Sequence, residues 1–389
     1  MESKKALPVL FAAMFLVMVG FGIIIPVLPF YVEEIGASPT QLGLLMAVYS
    51  VMQLLFAPMW GRVSDRIGRK PVIMVGIFGL ALSFFLMALS SSLWMLFAAR
   101  VIGGFFSSAN MPTVMAYVAD ITTDEDRGKG MGIIGAAIGL GFVFGPAIGG
   151  VFSQASLATP FYIAGASSII TFLLVAFVLK ESLTPEQRNN HLRERTPLLK
   201  ALKGPVSILF ILQWFVSLSL SGLEATFAYF AYERANLGTI ELGYIFMIMG
   251  LAGALVQGGI VGRLTKKYGE GLVIQIGIII SALGFILILF IDSCLTAALY
   301  LTVFGIGNGF IRPAVSALLT KSSSAGYGST TGLLSSFDSL GRVIGPPLGG
   351  WLFMISTGLP YISGIILSVL ALILYQIYKV KIKNPVPGR

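Results

Sequence analysis

Uncharged apolar stretches of about 20 residues recur along almost the whole chain, and this repetition restricts the fold more than any other feature. A stretch of that length, wound as an α-helix, crosses the hydrocarbon core of a bilayer. Apolar stretches too long for one crossing are interrupted by turn residues, as at 154–160 and 356–360. The pattern predicts twelve membrane-spanning helices, at 6–32, 41–60, 71–90, 93–119, 131–153, 160–179, 205–232, 241–261, 272–291, 296–319, 330–354 and 360–378.

The composition agrees with a membrane protein. Of the 389 residues, 56% are hydrophobic and 11% are charged, whereas soluble domains carry about 25% charged residues. Lys4 and Lys5 precede the first apolar stretch, as in a signal peptide, but the stretch is too long and no small-residue cleavage site follows. We therefore expect an all-α membrane protein whose first helix is retained.

The basic residues lie almost entirely on one side of the predicted membrane. Of the 26 lysines and arginines, 22 fall in segments on the side of the N-terminus and only Arg234 falls in the opposite loops. The other three, Arg100, Arg312 and Arg342, fall inside spans. The positive-inside rule then places both termini in the cytoplasm of a multi-pass plasma-membrane protein. Since the basic residues are scattered over several loops, the net charge of +9 does not indicate nucleic-acid binding.

The sequence offers few groups for metal, redox or phosphate chemistry. Cys294 is the only cysteine and His191 the only histidine, so neither an internal disulfide nor a Cys/His site is expected. The phosphate-binding pattern G-x-x-x-x-G-K-[ST] is absent, which disfavours an ATP-driven pump. We expect no enzyme activity, no metal and no cofactor.

The chain repeats one plan in two halves. The polar interval 180–204 separates six spans from six, which predicts an N-terminal bundle at 1–179, a cytoplasmic linker at 180–204 and a C-terminal bundle at 205–389. Three matches, at offsets of 201, 201 and 200, support the repeat: Gly61-Arg62 with Gly262-Arg263, Gly104 with Gly305, and GPAIGG at 145–150 with GPPLGG at 345–350. A nearly constant offset predicts two six-helix bundles related by a pseudo-two-fold axis, an arrangement used by transporters.

Glycines recur every fourth residue in one helix of each half. They are Gly141, Gly145 and Gly149 in the fifth span, and Gly341, Gly345 and Gly349 in the eleventh. Such a stripe allows another helix backbone to approach closely. Pro146 and Pro346-Pro347 weaken these helices, which favours a bending or rocking role beyond packing.

The segment GRVSDRIGRKP, at 61–71, joins the second and third spans. Its composition alone favours an ordinary positive-inside loop, but its order resembles the signature of the major facilitator superfamily, G-x-x-x-D-R-x-G-R-[KR]. Every defined position matches: Gly61, Asp65, Arg66, Gly68, Arg69 and Lys70.

Other motifs resemble the twelve-helix drug/proton antiporter branch of that superfamily. They are PVLP at 26–29 and the antiporter motif GFVFGPAIGG at 141–150, with Gly141, Gly145, Pro146, Gly149 and Gly150. RVIGG, at 100–104, is similar to the fourth-helix arginine motif, although Gly103 stands where glutamine is common. The resemblance covers the whole chain and is greatest to the NorA- and Bmr-like multidrug exporters of Gram-positive bacteria.

This resemblance implies the major-facilitator fold and a proton-coupled antiporter that exports lipophilic, often cationic drugs by alternating access. Its partners would be the lipid bilayer and small hydrophobic or cationic substrates, and we expect a monomer. An exporter of one dedicated substrate, such as a tetracycline, a sugar or a lipid precursor, is an alternative, because fold does not fix function. A membrane receptor or scaffold that has lost transport activity is a further alternative.

The signature segment is expected to latch the two bundles on the cytoplasmic side. Asp65 would accept hydrogen bonds from the N-terminus of the eleventh helix, whose dipole favours an anion. Arg66 and Arg69 would pair with Asp120 first and then with the acids at 124–126. In the second half Lys266 replaces Asp65, so we expect a latch on one side only.

Glu224 is a single acid within an apolar span. A charge among lipid tails is unfavourable by at least about 2.5 kcal/mol, so such residues usually face a bundle interior and are functional. Helical spacing places polar residues on its face, which predicts a wet cavity: Ser221, Ser217 and Gln213. Because burial disfavours the charged form, we expect Glu224 to exchange protons, as the acid at the matching position does in the similar exporters. A structural pair with Arg100 or another buried cation is the alternative.

Two other groups are candidates for coupling. Asp338 lies four residues before Arg342 and, by depth, can reach Arg312; it forms either a neutralised structural pair or a second proton or substrate group. The family pattern has an acid where this chain has Gly309. Arg100 is either a counter-ion or an outward-snorkelling residue, or, as the resemblance implies, part of the proton path.

An apolar cavity with one acid suits hydrophobic cations. Polar and aromatic residues of the spans are candidates to line it: Tyr31, Gln53, Asn110, Tyr117, Gln213, Ser217, Ser221, Phe227, Phe304, Asn308 and Arg312.

Overall fold

The computed structural model describes residues 3–123, 125–184, 204–322 and 327–383, which are almost entirely helical. The first six spans are α1 (Ser3–Glu34), α2 (Pro39–Ile67), α3 (Arg69–Ala88), α4a (Leu93–Ser107) with α4b (Asn110–Ile121), α5 (Arg127–Phe152) and α6 (Thr159–Val178). The second six are α7 (Ser207–Ala235), α8a (Thr239–Leu255) with α8b (Val261–Tyr268), α9 (Glu270–Ile288), α10 (Cys294–Ser322), α11 (Tyr327–Ile355) and α12 (Leu359–Lys383).

Each predicted span coincides with one of these helical spans, which confirms the all-α class. Lipid provides no hydrogen-bond partners, so a spanning segment must satisfy its backbone groups internally, as an α-helix does. Within the described ranges, ten helices are long and apolar enough to cross a membrane. The other two spans are α4, which is divided, and α11, which carries Asp338 and Arg342.

The expectation of a continuous fourth helix was wrong. α4a ends at Ser107 and α4b begins at Asn110. Between them the backbone tightens, because the amide of Ala109 donates to the carbonyl of Phe106, three residues back, at 3.0 Å. Pro112 explains the break, since a proline has no N–H and its ring conflicts with the carbonyl four residues earlier. α8 is also irregular, with a π-helical turn at Val256–Ile260 between its two segments.

The glycine stripes bring helix backbones into contact. A Cβ added to Gly145 of α5 would lie 2.7 Å from the Cα of Gly22 in α1. A Cβ added to Gly345 of α11 would lie 2.5 Å from the carbonyl oxygen of Leu218 in α7. Both distances are shorter than any van der Waals contact, so larger side chains would separate α5 from α1 and α11 from α7.

Contacts divide the chain into two compact units. The first comprises 1–38, 44–193 and 238–247, and the second comprises 39–43, 194–237 and 248–389. In the second unit α7, α9, α10 and α12 bury an apolar core that includes Phe210, Ile274 and Ile311. Most of the predicted linker, at 185–203 with His191, lies outside the described residues.

Candidate functional site

The carboxylate of Asp338, on α11, is the polar centre of the second unit. Its Oδ2 accepts a hydrogen bond from Arg312 Nη2 at 2.9 Å. Its Oδ1 accepts bonds from Gln213 Nε2 at 2.8 Å and from Ser217 Oγ at 3.1 Å. Asp338 is 6% exposed, and a buried carboxylate is stable only with such partners. Of the two arginines that the sequence offered, it is Arg312 and not Arg342 that forms the ion pair.

The polar stripe of α7 faces α11. Gln213 and Ser217 hold Asp338, while Ser221 Oγ donates to the carbonyl of Gly341 at 3.0 Å. All three α7 side chains are buried. We expected them to line an open cavity beside Glu224; they lie instead in the contact between two helices, because the glycines of α11 let α7 approach until its side chains reach α11.

Glu224 has no such partners. Its side chain is partly exposed and makes no hydrogen bond or ion pair with the residues that the structure describes. Arg342, on α11, is the cation whose charge acts on it. Two carboxylates within the apolar spans of the second unit therefore have different settings: Asp338 is fixed by three donors, whereas Glu224 is fixed by none of the described residues. Arg100, the alternative partner of Glu224, belongs to the first unit, so that pairing stays a prediction.

Arg100 is buried inside the first unit and is 6% exposed, which disfavours the alternative that it snorkels outward. Its guanidinium carbon lies 4.4 Å from the ring centroid of Tyr49, in cation–π geometry. Its Nε donates a long hydrogen bond to the carbonyl of Leu45 at 3.5 Å. Among the described residues no carboxylate lies within ion-pair distance of Arg100.

Neighbouring side chains fix the position of Tyr49 against Arg100. Its hydroxyl is hydrogen-bonded to Ser107 Oγ and accepts a bond from Gln53 Nε2 at 3.3 Å. The ring of Phe21 meets it edge-on, with centroids 5.3 Å apart. Gln53, a predicted cavity residue, thus helps to orient the ring of Tyr49, on which the guanidinium of Arg100 stacks.

Three candidates for the cavity are buried inside the first unit, two of them with hydrogen bonds to its backbone. Tyr31 donates to the carbonyl of Met87 at 2.9 Å. Tyr117 donates to the carbonyl of Lys180 at 2.5 Å. Asn110 is 3% exposed and packs against α3. Tyr31 and Tyr117 thus bond to backbone carbonyls within the unit, whereas the side-chain amide of Asn110 has no hydrogen-bond partner among the described residues. Their place in a substrate cavity stays a prediction, because an amphipathic side chain looks the same in sequence whether it faces a substrate or a neighbouring helix.

Phe227 and Phe304 are also buried, and Asn308 is partly buried. Phe227 is fully buried, and Phe304 packs against Phe285 with ring centroids 4.7 Å apart. Phe304 and Asn308 line a gap of about 20 Å³ between α7, α9, α10 and α12. Such a gap holds one water molecule, whereas drug-sized ligands need about 300 Å³ or more.

The signature segment builds a charged cluster where α2 meets α3. Gly68 connects the helices with φ of 111°, which a glycine adopts without strain. The next residue, Arg69, is buried, and its Nη1 donates to Asp65 Oδ1 at 2.6 Å and to Ser64 Oγ at 2.7 Å. Its Nε donates to Asp120 Oδ2 at 3.0 Å. The predicted ionic contact between this segment and the end of α4 is therefore present.

Glu181, which follows α6, completes the cluster and was not predicted. Its two carboxylate oxygens accept bonds from the backbone amides of Arg69, at 2.8 Å, and Lys70, at 3.1 Å. These amides are the unsatisfied donors at the start of α3, where the helix dipole also favours an anion. No local signal could have revealed this cap, because the acid and the helix start are 112 residues apart.

Arg66 does not share the role of Arg69. It is exposed and has no ion-pair partner in the described part of the chain, and Asp120 binds Arg69 instead. Position 124 lies outside the described residues. The predicted contact of Asp65 with α11 would join the two units and stays a prediction.

The second unit contains a charge-reversed equivalent of the Arg69–Asp120 pair. Glu270 begins α9 after Gly269, which has φ of 82°. Lys321, near the end of α10, forms an ion pair with Glu270. At the repeat offset of 201, positions 69 and 120 correspond to 270 and 321. The second half thus keeps an ion pair at this place with the charges exchanged, whereas Lys266 still stands where the first half has Asp65, so the latch on one side only stays a prediction.

A family model described as Major Facilitator Superfamily matches residues 10–326 and 255–388. The chain belongs to this superfamily. It is 31% identical over 387 residues to Multidrug resistance protein 2 of Bacillus subtilis (strain 168), covering 98% of this chain and 96% of that protein. It is 30% identical over 377 residues to the Quinolone resistance protein NorA of Staphylococcus aureus (strain MSSA476), covering 97% of each. The crystal structure of the nucleoside transporter NupG matches with a TM-score of 0.79 at 17% identity, covering 97% of this chain and 99% of that one, and supports the fold alone. The predicted family is confirmed.

Proposed function

We propose that the protein is a proton-coupled antiporter of the cell membrane, which exports lipophilic and often cationic drugs by alternating access, with both termini in the cytoplasm. Its membership of the major facilitator superfamily and its similarity to proteins named for multidrug and quinolone resistance support drug export. The observation that carries the coupling role is Glu224, a carboxylate inside α7 without a fixed partner among the described residues.

The chemistry of coupling follows from that setting. A carboxylate in a low-dielectric site favours its neutral form, and a nearby cation favours its charged form. A bound proton and a bound lipophilic cation each neutralise the charge of Glu224, so the binding of one disfavours the binding of the other. Binding of drug on the inner side releases the proton there, and proton binding on the outer side releases the drug. Asp338 is less suited to this exchange, because its charge is compensated by Arg312 and two neutral donors.

The substitution Glu224→Gln tests the proposal. We expect the variant to insert normally and to lose pH-gradient-driven transport of ethidium into everted vesicles, which is the export direction, down to the rate of vesicles without the protein, since an amide cannot take up a proton. Glu233→Gln on the same helix is the matched control; Glu233 is exposed, and its loss should leave transport unchanged. Full gradient-driven efflux by Glu224→Gln would refute the coupling role.

An exporter with one dedicated substrate has the same fold and the same family membership. A panel of unrelated cationic dyes separates the two functions in the wild-type protein. Gradient-dependent efflux of several dyes supports multidrug export, and efflux of none supports a dedicated substrate or a protein without transport activity.

A further inference from the structure

Two buried polar side chains at the break of α4 have no hydrogen-bond partner among the described residues. Asn110, the first residue of α4b, is 3% exposed, and neither its Oδ1 nor its Nδ2 is bonded. Thr113, one turn later, is fully buried, and its Oγ1 is also unbonded. In the described ranges no other buried side chain leaves two polar atoms unpaired. Since a buried polar group without a partner is unfavourable, the break lowers the stability of this conformation.

The break falls at the acceptor that Thr113 lacks. A threonine inside a helix can donate to the carbonyl four residues back, as Thr171 of α6 does to the carbonyl of Ser167 at 2.7 Å. For Thr113 the corresponding acceptor is the carbonyl of Ala109, which lies between α4a and α4b. The amide of Ala109 bonds three residues back, so the chain is wound more tightly here than in an α-helix.

Water does not replace the missing partners, because the unpaired groups are enclosed by protein. The three unpaired atoms are themselves inaccessible to water. A Cβ added to Gly76 of α3 would lie 2.3 Å from Asn110 Oδ1, and Ala109 belongs to an apolar cluster with Trp60 and Val72. The amide and the hydroxyl therefore gain partners only if α4 changes shape.

We propose that the break in α4 is a hinge of the transport cycle, and that Asn110 and Thr113 favour its movement by destabilising the conformation described here. When α4b turns relative to α4a, the two side chains reach backbone carbonyls or water, so the second conformation regains the hydrogen bonds that the first one lacks. Pro112 permits this movement, because its missing N–H removes the helical bond to the carbonyl of Ser108. The inference rests on the proposed export function.

Thr113→Val tests the hinge, because valine keeps the shape of threonine and removes the hydroxyl. Its thermal unfolding midpoint in detergent should lie above that of the wild type, since an unpaired buried group is lost. The maximal rate of ethidium transport into everted vesicles should fall about threefold or more, because the conformation described here becomes more stable relative to the second one. The half-saturating ethidium concentration should not change.

Two variants are matched controls. Thr171→Val removes a buried hydroxyl that is bonded, so its unfolding midpoint should fall while its maximal transport rate stays within about twofold of the wild type. Thr113→Ser keeps the unpaired hydroxyl and should transport like the wild type. Hydrogen exchange of the backbone amides at 107–111 measures the hinge directly, and Thr113→Val should slow it.

A Thr113→Val variant that unfolds at or below the wild-type midpoint, or that fails to insert, overturns the inference, since the hydroxyl would then have a stabilising partner. A stabilised Thr113→Val variant with the wild-type maximal rate overturns it as well. If the wild type does not transport ethidium, the export of cations is contradicted separately. Hydrogen exchange then decides the hinge: slower exchange at 107–111 in Thr113→Val supports it, and unchanged exchange overturns it.

Discussion

At the scale of single residues, two carboxylates inside apolar spans of the second unit are alike in sequence and different in structure. Glu224 and Asp338 both interrupt apolar helices, and the sequence offered both as coupling groups. The donors that distinguish them lie far from Asp338 in the chain, since Gln213 and Ser217 are 125 and 121 residues away. Helical spacing showed that these residues share a face of α7, but it could not show that the face meets Asp338.

Asp338→Asn is expected to reduce stability while leaving proton coupling intact. The substitution removes the charge that Arg312 compensates; because the Arg312 side chain is 59% exposed, water replaces part of the interaction, and the loss should be about 1–2 kcal/mol. Arg312→Gln should have a similar effect, and the double variant should be no less stable than the weaker single one. Thermal unfolding in detergent measures the stabilities, and the ethidium assay measures coupling. If efflux by the Asp338→Asn variant no longer depended on the pH gradient, Asp338 would be a proton-binding group needed for coupling and not only a structural one.

At the scale of helices, the sequence predicted the elements well and their ends poorly. Long apolar stretches are a local signal, which is why every span was found. The break between α4a and α4b depends on the ring of Pro112 and the carbonyl of Ser108, a conflict visible in sequence only when a proline inside a span is counted as a breaker. The cap of α3 by Glu181 depends on tertiary contact and has no local signal.

Exchanging the charges of the two equivalent ion pairs should have different consequences in the two halves. The double variant Glu270→Lys/Lys321→Glu restores the ion pair, whose lysine is 67% exposed in the wild type, so it should transport like the wild type. It should be about 1 kcal/mol less stable, because it places a lysine at the start of α9 and a glutamate in the last turn of α10, against both helix dipoles. Arg69→Asp/Asp120→Arg should lose transport, because Arg69 also binds Asp65 and Ser64.

The single variants should differ in stability in the same way. Lys321→Gln should lower the free energy of unfolding by less than about 1 kcal/mol, and Arg69→Gln should lower it by about 3 kcal/mol or more. Thermal unfolding and ethidium efflux are the measurements. A destabilised, inactive Glu270/Lys321 exchange would show that the second pair also has directional partners.

At the scale of the whole chain, the repeat preserves backbone packing and not chemistry. Gly145 and Gly345 occupy equivalent places and perform the same task of helix approach. The ionisable groups Arg100 and Glu224 inside the spans occur in one half only: position 301, equivalent to Arg100, is a leucine, and position 23, equivalent to Glu224, is an isoleucine. The repeat therefore helped to predict the fold from the sequence. The site could be predicted only in part, because Arg100 and Glu224 have no equivalent in the other half to compare.

Orientation in the membrane is a property of the whole chain, and Cys294 gives a direct measure of it. This exposed residue begins α10 and is the only cysteine, and the distribution of lysine and arginine places it on the outer side. A membrane-impermeant maleimide should label the wild type in intact cells. The variant Cys294→Ser/Lys129→Cys moves the thiol to the start of α5, on the predicted inner side, and should be labelled only after the membrane is opened. The reverse pattern would place both termini outside and would require 22 basic residues to have crossed the membrane against the positive-inside rule.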